Sequence, residues 1–543
     1  MKKASGLMYD YVIVGAGSAG CVLAHRLTED PSVSVLLLEA GGPDTRQEIH
    51  IPVAFSKLFK TPVDWTYYTE EQKHLNNRKL YWPRGKVLGG SSSLNAMIYH
   101  RGSHHDYDSW AEAGNQGWGF SDLLPYFKKA EHQERGPSDY HGTGGPLNVS
   151  DLRTVHPLAR AFVEACAEIG LPRTNDFNGA DEMGAGIFQV TQKRGQRWST
   201  ARAYLQPALT RPNLTVRTQI HVMRLLWENT RVVGISYIHD GKEVQERINR
   251  EVLLCGGAVN SPQILLLSGV GPADTLRQLD IPVVVDLPGV GQHLEDHLST
   301  GVLTFCNQPI SLAGAESIIN LLNYMLFRRG PLTSNVAEAA AFVKTSDALP
   351  SHDLEILLAP VFFMAHGAES PPGHGFTLGV ILLRPQSHGF ITLRSNDPLA
   401  PPIIQPNYLA SEADLQVLVD GIKLARQIVK AHAFDAYRGA EVVPGEAAQS
   451  DEAIVEQIRE HAETLYHPTG TCKMGSDAMA VVDDQLRVHG VEGLRIVDAS
   501  IMPSIIGGHT NAPTIAIAEK AADLIKGKIQ QPASQDRGEQ VLP

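Results

Sequence analysis

Cysteine is scarce in this chain. There are five in 543 residues, Cys21, Cys166, Cys255, Cys306 and Cys472, odd in number, scattered and without a CxxC pair. That spacing argues against a disulfide framework and a zinc knuckle, and it suits a reducing compartment. Long apolar runs are missing too. No window offers ~20 uninterrupted apolar residues, so no transmembrane helix is expected. The opening MKKASGLMYD has two lysines but no apolar stretch behind them, so it does not read as a secretory signal. An excess of positive charge is also lacking. Lys and Arg number 47 against 59 Asp and Glu, a formal charge of -12, which disfavours nucleic acid as a partner. No internal repeat is visible. The expectation is a cytoplasmic protein, with peripheral contact at the inner face of the membrane left open.

What is present is globular. Hydrophobic residues make up 43% and charged residues 20%, with 49 Gly and 33 Pro for tight turns. The length allows about three to four domain-equivalents of roughly 150 residues. Residues 9–40 read as strand, glycine turn, helix and strand, a βαβ unit opening an α/β domain. Residues 121–132, 155–170 and 411–432 read as helices. Residues 213–256 alternate as an antiparallel meander that returns to the sheet. NSPQILLLSG reads as a helix with Pro262 near its first turn. Residues 374–395 read as two strands joined by a turn, and 513–527 as a helix starting at Pro513. The last stretch, 531–543, lacks an apolar pattern and is expected to be a mobile tail.

The first chemical motif is Gly15-Ala16-Gly17-Ser18-Ala19-Gly20, between a strand and a helix. Gly15 permits the turn, Gly17 lets a pyrophosphate approach the backbone, and Gly20 lets helix pack on strand. The helix N-terminus, at Ser18 and Ala19, supplies free N–H groups for phosphates. Glu39, nineteen residues after Gly20 and followed by Ala40, ends the next strand and is placed to accept from ribose hydroxyls. A carboxylate there disfavours a 2′-phosphate, so FAD or NAD is expected over NADP.

A second set of motifs separates those two. Arg84-Gly85-Lys86-Val87-Leu88-Gly89-Gly90-Ser91-Ser92-Ser93-Leu94-Asn95-Ala96-Met97 resembles the first signature of the glucose–methanol–choline (GMC) oxidoreductases. Gly256, Ala258, Ser261 and Pro262 with Leu267-Ser268-Gly269-Val270-Gly271 resemble the second. Tyr466-His467-Pro468-Thr469-Gly470-Thr471-Cys472, Asp498-Ala499-Ser500 and Thr510-Asn511-Ala512-Pro513-Thr514 resemble the family's C-terminal motifs. The likeness runs from about Tyr9 to about Ile525 and is nearest to bacterial alcohol, sorbose and choline dehydrogenases.

The resemblance implies FAD, held by the glycine motif, Glu39, Ala40, Trp65, the Arg84–Met97 loop, Val222, Ala258, Tyr466, Asp498, Ala499, Asn511, Pro513 and Thr514. Some relatives tether FAD through a histidine just before the asparagine. Leu94 stands there, so non-covalent FAD is expected. His467, in a Gly/Pro-rich loop, is the expected base. Asn511, 44 residues later, is expected to hold the substrate oxygen, and a helix-cap role is compatible with that. His509, where the dehydrogenases often carry Asn, adds an imidazole near the site. Glu338 matches a family position facing the substrate cavity, although a buried hydrogen-bonded carboxylate is an equal reading. Choline recognition also wants an aromatic cage, which Val336 and Ala337 do not supply. His104-His105-Asp106 is read as a polar loop with no third ligand, so no metal is expected.

The expected fold is α/β, a glutathione-reductase-like FAD domain with a second domain built on an antiparallel sheet with helices. The boundaries are 1–155, 213–300 and 455–530 for the first, 156–212 and 301–454 for the second. The expected reaction is oxidation of an alcohol to an aldehyde or ketone, by proton abstraction and hydride transfer to flavin N5. Electrons then pass to a quinone, another carrier or oxygen. The rivals are an oxygen-using alcohol oxidase of aryl-alcohol or hydroxymethylfurfural type, a choline dehydrogenase and a hydroxynitrile lyase. An uncharged primary alcohol is favoured over a cationic one.

Overall fold

The computed structural model describes residues 8–528. The 531–543 stretch, expected to be a mobile tail, lies outside the described residues. The first sheet grows from the apolar runs of the opening βαβ unit. Tyr9–Val14 pairs in parallel with Val35–Leu38, which pairs in parallel with Leu214–Arg217. On its other side Tyr9–Val14 pairs in parallel with the long strand Lys242–Leu254. Val35–Leu38 is buried throughout, as a parallel strand covered on both faces must be. Lys242–Leu254 does two jobs along its length. Its first half closes the antiparallel meander with Arg231–His239 and His221–Glu228, and its last residues pair in parallel with Leu494–Ile496.

Two helices aim their N-termini at the top of this sheet: Ser18–Leu27 and Asn511–Ile525. They are tied by Glu519, whose side chain is fully buried. It accepts from Arg26 Nε and Nη2, each at 2.8 Å, and from the Tyr204 hydroxyl at 2.9 Å. A paired, bidentate carboxylate tolerates that burial; removing one partner would cost about 3–5 kcal/mol. The ion pair thus sets the mutual register of the two helix starts that border the site.

The second sheet is antiparallel throughout, in the order Arg438–Val443, Leu298–Cys306, Gly375–Leu382, Leu354–Ala359, Ala339–Val343, Gly184–Ile187. The period-2 rule divides Ala339–Val343 between its faces. Ala339, Ala341 and Val343 pack into a core with Leu158, Phe162, Leu418 and Ile422 from the helices Pro157–Glu168 and Glu412–Lys430. Ala340 and Phe342 pack on the other face with Ile98, Phe177 and Phe188.

Three expectations change. Residues 374–395 do form two strands, Gly375–Leu382 and Phe390–Thr392, but they are not partners. The first belongs to the antiparallel sheet, and the second pairs with Ile403–Gln405. Pro262 sits in the second turn of a helix that begins earlier, at Gly257. His104-His105-Asp106 is not a loop but the first turn of the helix His104–Glu112. Ser103 Oγ accepts from the Asp106 N–H, and Asp106 accepts from the Ser103 N–H, a capping box. The Ser-x-x-Asp spacing carried that signal.

Candidate active site

A cavity of about 320 Å³ runs between the parallel sheet and the antiparallel one. Its first end is the glycine turn. Gly15 has φ +101°, and a Cβ there would lie 2.4 Å from the Cys255 carbonyl oxygen. Gly20 is needed for packing, since a Cβ would sit 1.9 Å from the Gly15 oxygen. Gly17 is different. Its φ is -77°, open to any residue, and a Cβ would meet no protein atom closer than Gly90 Cα at 4.0 Å. Neither backbone nor packing calls for glycine there; a ligand lying against the turn does. Gly15, Gly17, Ser18 and Ala19 line the cavity, while Gly20 does not.

Glu39 lies across from the turn, and Ala40 lines the cavity beside it. One Glu39 oxygen accepts from the Ala16 N–H at 2.9 Å, the other from the Gly41 N–H at 2.8 Å. Each keeps a second acceptor site for a hydroxyl of the ligand. Burial raises the carboxyl to about 7 against the pull of those N–H groups.

The second glycine loop meets the first. A Cβ on Gly90 would lie 2.7 Å from Gly17 Cα, so the two loops touch backbone to backbone. Arg84, Gly90, Ser91, Leu94, Asn95, Ala96 and Met97 line the cavity, as do Trp65, Val222, Ala258, Asp498, Ala499 and Thr514. Leu88, Gly89 and Pro513 do not. Leu88 and Gly89 hold the loop instead, donating N–H bonds to the Gly42 and Ala16 carbonyls at 3.0 and 2.7 Å. Pro513 is the third residue of its helix and is buried. Leu94 is packed among Ile49, Leu58, Val63 and Val87 and brings no nucleophile. The open cradle at Gly17, the helix N-terminus behind it and the double-acceptor Glu39 together fit an adenine dinucleotide.

His467 lines the same cavity further on. Its loop is braced from behind by one short stretch. Asp296 Oδ1 accepts from the His467 N–H at 2.7 Å, and Oδ2 accepts from Thr464 Oγ1 at 2.6 Å and from the Tyr408 hydroxyl. His297 Nδ1 lies 3.0 Å from His467 Nδ1. Its Nε2 lies 3.1 Å from the Leu383 carbonyl oxygen. A carbonyl only accepts, so His297 carries its proton on Nε2 and offers a lone pair at Nδ1. His297 stays neutral because burial lowers it to about 3. His467 therefore donates from Nδ1, and its own lone pair is left on Nε2. Burial, with help from His509, His297 and Arg84, drives the His467 pKa well below the usual histidine value.

The neighbours complete the set. His509 stands edge-on to His467, centroids 5.0 Å apart, with Nε2 3.3 Å from Glu355 Oε1. Asn511 Oδ1 accepts from Ser18 Oγ at 2.7 Å, which turns its NH₂ away from that bond. Thr510, not Asn511, is the N-cap of the Asn511–Ile525 helix, and no side chain caps it. Tyr466 has φ +70°, and its hydroxyl is hydrogen-bonded with His366 Nδ1 at 2.8 Å.

Of the two readings of Glu338, the buried hydrogen-bonded carboxylate holds and the cavity-facing one does not. Glu338 does not line the cavity. One oxygen accepts from Ser334 Oγ at 2.5 Å and the other from the His156 N–H at 2.7 Å, so the carboxylate is spent on local structure. Sequence reasoning missed the rings of Phe55, Phe59 and Phe363, which line the far end of the cavity with Leu357 and Leu465. It also missed His297, which sits alone in an LEDHLS stretch with no motif around it. Arg197 was missed as well; it is buried and holds Asn95 Oδ1 through Nη1 at 2.7 Å.

The family model for GMC oxidoreductases matches residues 9–299, and its C-terminal companion matches residues 385–518. The chain belongs to the GMC oxidoreductase family. It is an FAD-dependent enzyme that oxidises the CH–OH group of an alcohol, and it needs an electron acceptor. It is 47% identical over 531 residues to the alcohol dehydrogenase (acceptor) of Pseudomonas putida, covering 96% of each chain. It is 47% identical to the mitochondrial choline dehydrogenase of Mus musculus, over 97% of this chain and 91% of that one. Among solved structures, the pyridoxine 4-oxidase from Mesorbium loti superposes with a TM-score of 0.89 at 33% identity, covering 96% of this chain and all of that one. Among the described residues no helix is long and apolar enough to cross a membrane.

Proposed function

We propose that the enzyme oxidises an uncharged primary alcohol, aliphatic or aromatic, with His467 as base and Asn511 as the oxygen's partner. The observation that carries this is the hydrogen-bond chain Leu383 carbonyl, His297, His467, which leaves a lone pair on His467 Nε2 at the cavity wall. Bound FAD, held by the glycine turn and Glu39, would supply the acceptor for the hydride leaving the carbinol carbon and the means to relay its electrons to a quinone or another carrier. The substrate hydroxyl donates to Nε2, and the base takes its proton as the C–H bond breaks. The Asn511 NH₂ donates to the oxygen as negative charge grows there. The N-terminus of the Asn511–Ile525 helix adds a positive dipole end to the same region. Phe55, Phe59 and Phe363 receive the substrate's apolar part and keep water out.

A second reading is a quaternary ammonium alcohol, as the named choline dehydrogenases suggest. The three phenylalanine rings favour it, because rings hold such cations. Against it, the carboxylates lining the cavity, Glu39 and Asp498, belong to the cofactor end. Anaerobic mixing with alkanols, benzylic alcohols, choline and sugars tests both, with flavin bleaching as the readout. Fastest bleaching by choline would replace the first reading with the second. Peroxide release under air would make oxygen the acceptor, and a flavin that stays yellow with every alcohol would favour a lyase.

The cofactor unit of 1–155, 213–300 and 455–530 and the substrate unit of 156–212 and 301–454 belong to this proposal. Sheet membership supports it, with Leu298–Cys306 and Glu463–Thr464 crossing the seams into the antiparallel sheet. So does a cytoplasmic location with peripheral contact at the membrane's inner face, in keeping with five free, buried cysteines.

A further inference from the structure

The helix Ile318–Phe327, IINLLNYMLF, carries its apolar side outward. At about 100° per residue, Ile318, Ile319, Leu322, Met325 and Leu326 fall on one arc. All are exposed, Ile318 at 76%, Ile319 at 79% and Leu326 at 71%. Leu321 widens the arc, and Phe327, also exposed, lies outside it at the end of the helix. The polar residues Asn320 and Asn323 and the buried Tyr324 face the protein. This reverses the pattern of an ordinary surface helix, which turns its apolar stripe to the core. A contiguous exposed patch of this kind marks an interaction site.

Charge gathers at the C-terminal end of the same helix. A Cβ on Gly195 would lie 2.7 Å from the Arg328 carbonyl and 3.0 Å from Arg153 Cδ, and the Gly330 N–H donates to Thr154 Oγ1 at 3.3 Å. These contacts bring Arg153, the Lys193–Arg194 turn and Arg328–Arg329 close together, with Lys193 over the Trp198 ring and Arg328 over the Tyr324 ring. None of the five has an acidic partner among the described residues; Asp151, close in sequence to Arg153, is paired with Arg135 at 2.8 Å. In a chain of net charge -12, such a group is complementary to an anionic surface, not to the protein's own.

The patch also adjoins the site. Leu312 and Ala315, just before the helix, pack with Phe55, Val336 and Phe363 of the cavity wall.

We propose that this helix seats on an anionic lipid bilayer, its apolar arc in the boundary between headgroups and acyl chains and the cationic cluster on lipid phosphates. A planar bilayer accepts a single convex helix. A stable interface between two copies needs ~1,000 Å² or more of matched surface, and one ten-residue helix, about 15 Å long, does not reach it. The inference deepens the reading of peripheral contact given above and is independent of the alcohol chemistry.

The test is co-sedimentation of the full-length, FAD-loaded enzyme with vesicles. One set is phosphatidylcholine alone, the other contains about a third phosphatidylglycerol. Wild type is expected to bind the anionic vesicles and to leave them as salt is raised to about 0.5 M. The triple variant Ile319→Ser, Leu322→Ser, Leu326→Ser should lower partitioning about tenfold or more. It should keep the flavin spectrum and the turnover of a soluble alcohol with a soluble acceptor. Arg153→Glu with Arg329→Glu should weaken binding to anionic vesicles alone, which guards against a triple variant that folds poorly. If both variants bind like wild type, this surface is wrong while peripheral contact stands. If wild type binds no vesicle, the peripheral reading falls with it. A wild-type dimer that the triple variant converts to monomer, without vesicle binding, would make the patch a contact between copies and overturn the proposal.

Discussion

His297 Nδ1 and His467 Nδ1 lie 3.0 Å apart, and the proton between them belongs to His467. The Leu383 carbonyl decides this, by claiming the only proton that a neutral His297 has. A main-chain oxygen at one end of the chain thus sets which nitrogen of the cavity-lining imidazole is basic.

His467→Ala should leave FAD bound and lower the rate of flavin reduction by about 10²–10⁴, the usual share of general acid–base catalysis. His509→Asn should cost far less. Anaerobic stopped-flow absorbance measures both, and the reverse order would assign the base to the other imidazole.

His297→Leu removes the acceptor of the His467 Nδ1 proton and should slow flavin reduction by roughly tenfold or more through the wrong tautomer. His297→Gln, whose carbonyl oxygen can accept that proton, should recover part of the loss. Equal rates in the two variants would deny the tautomer its role.

Acid pH should quench the reaction late. Protonating His467 blocks the base, so kcat/KM falls on the acid side and levels off above its pKa. Burial holds that pKa well below the ordinary histidine value, so the rising limb should lie below 6.5. His509, edge-on to His467 with centroids 5.0 Å apart, contributes to that lowering. The limb should persist in His509→Asn and disappear in His467→Ala.

The two glycines of the first turn should fail differently. Gly15→Ala meets the Cys255 carbonyl at 2.4 Å in a φ +101° conformation, and it should destabilise the fold by about 1–3 kcal/mol. Gly17→Ala fits the empty protein and should leave the melting temperature of the apoprotein unchanged. It should weaken FAD by about tenfold, ~1.4 kcal/mol. Denaturation and flavin titration of each apoprotein separate the effects.

FAD binding should release a proton near neutrality. Burial raises the Glu39 carboxyl to about 7 without ligand, and hydroxyl donors favour the charged form. Affinity should therefore tighten as pH rises through 7, and Glu39→Gln should remove the dependence. Calorimetry in buffers of different ionisation enthalpy reads the proton directly.

Much of the site could be read from the chain because its signals are local. A strand, a glycine turn and a helix are consecutive in residues 9–27, and Glu39 ends the next strand at a distance set by one crossover. His467 and Asn511 sit in motifs that a resemblance could carry over residue by residue. Leu94 needed only its own side chain to exclude a tether. Even the helix at His104 was legible in its Ser-x-x-Asp box, although the two histidines drew the reading toward a loop.

The remainder depended on contacts between segments far apart in sequence. Glu338 and Glu355 are both buried glutamates near the antiparallel sheet, and nothing local says which one faces a histidine. The fold turned Glu338 onto Ser334 and His156, and set Glu355 beside His509. Gly375–Leu382 and Phe390–Thr392 look like partners because they are near in sequence, yet hydrogen bonding sent them to different sheets. The sequence by itself determined the cofactor cradle, because that cradle is built from turns and helix starts within a few dozen residues. Only the tertiary structure decided which nitrogen of His467 keeps its lone pair, because its ring proton is placed by His297 and the Leu383 carbonyl, 170 and 84 residues away.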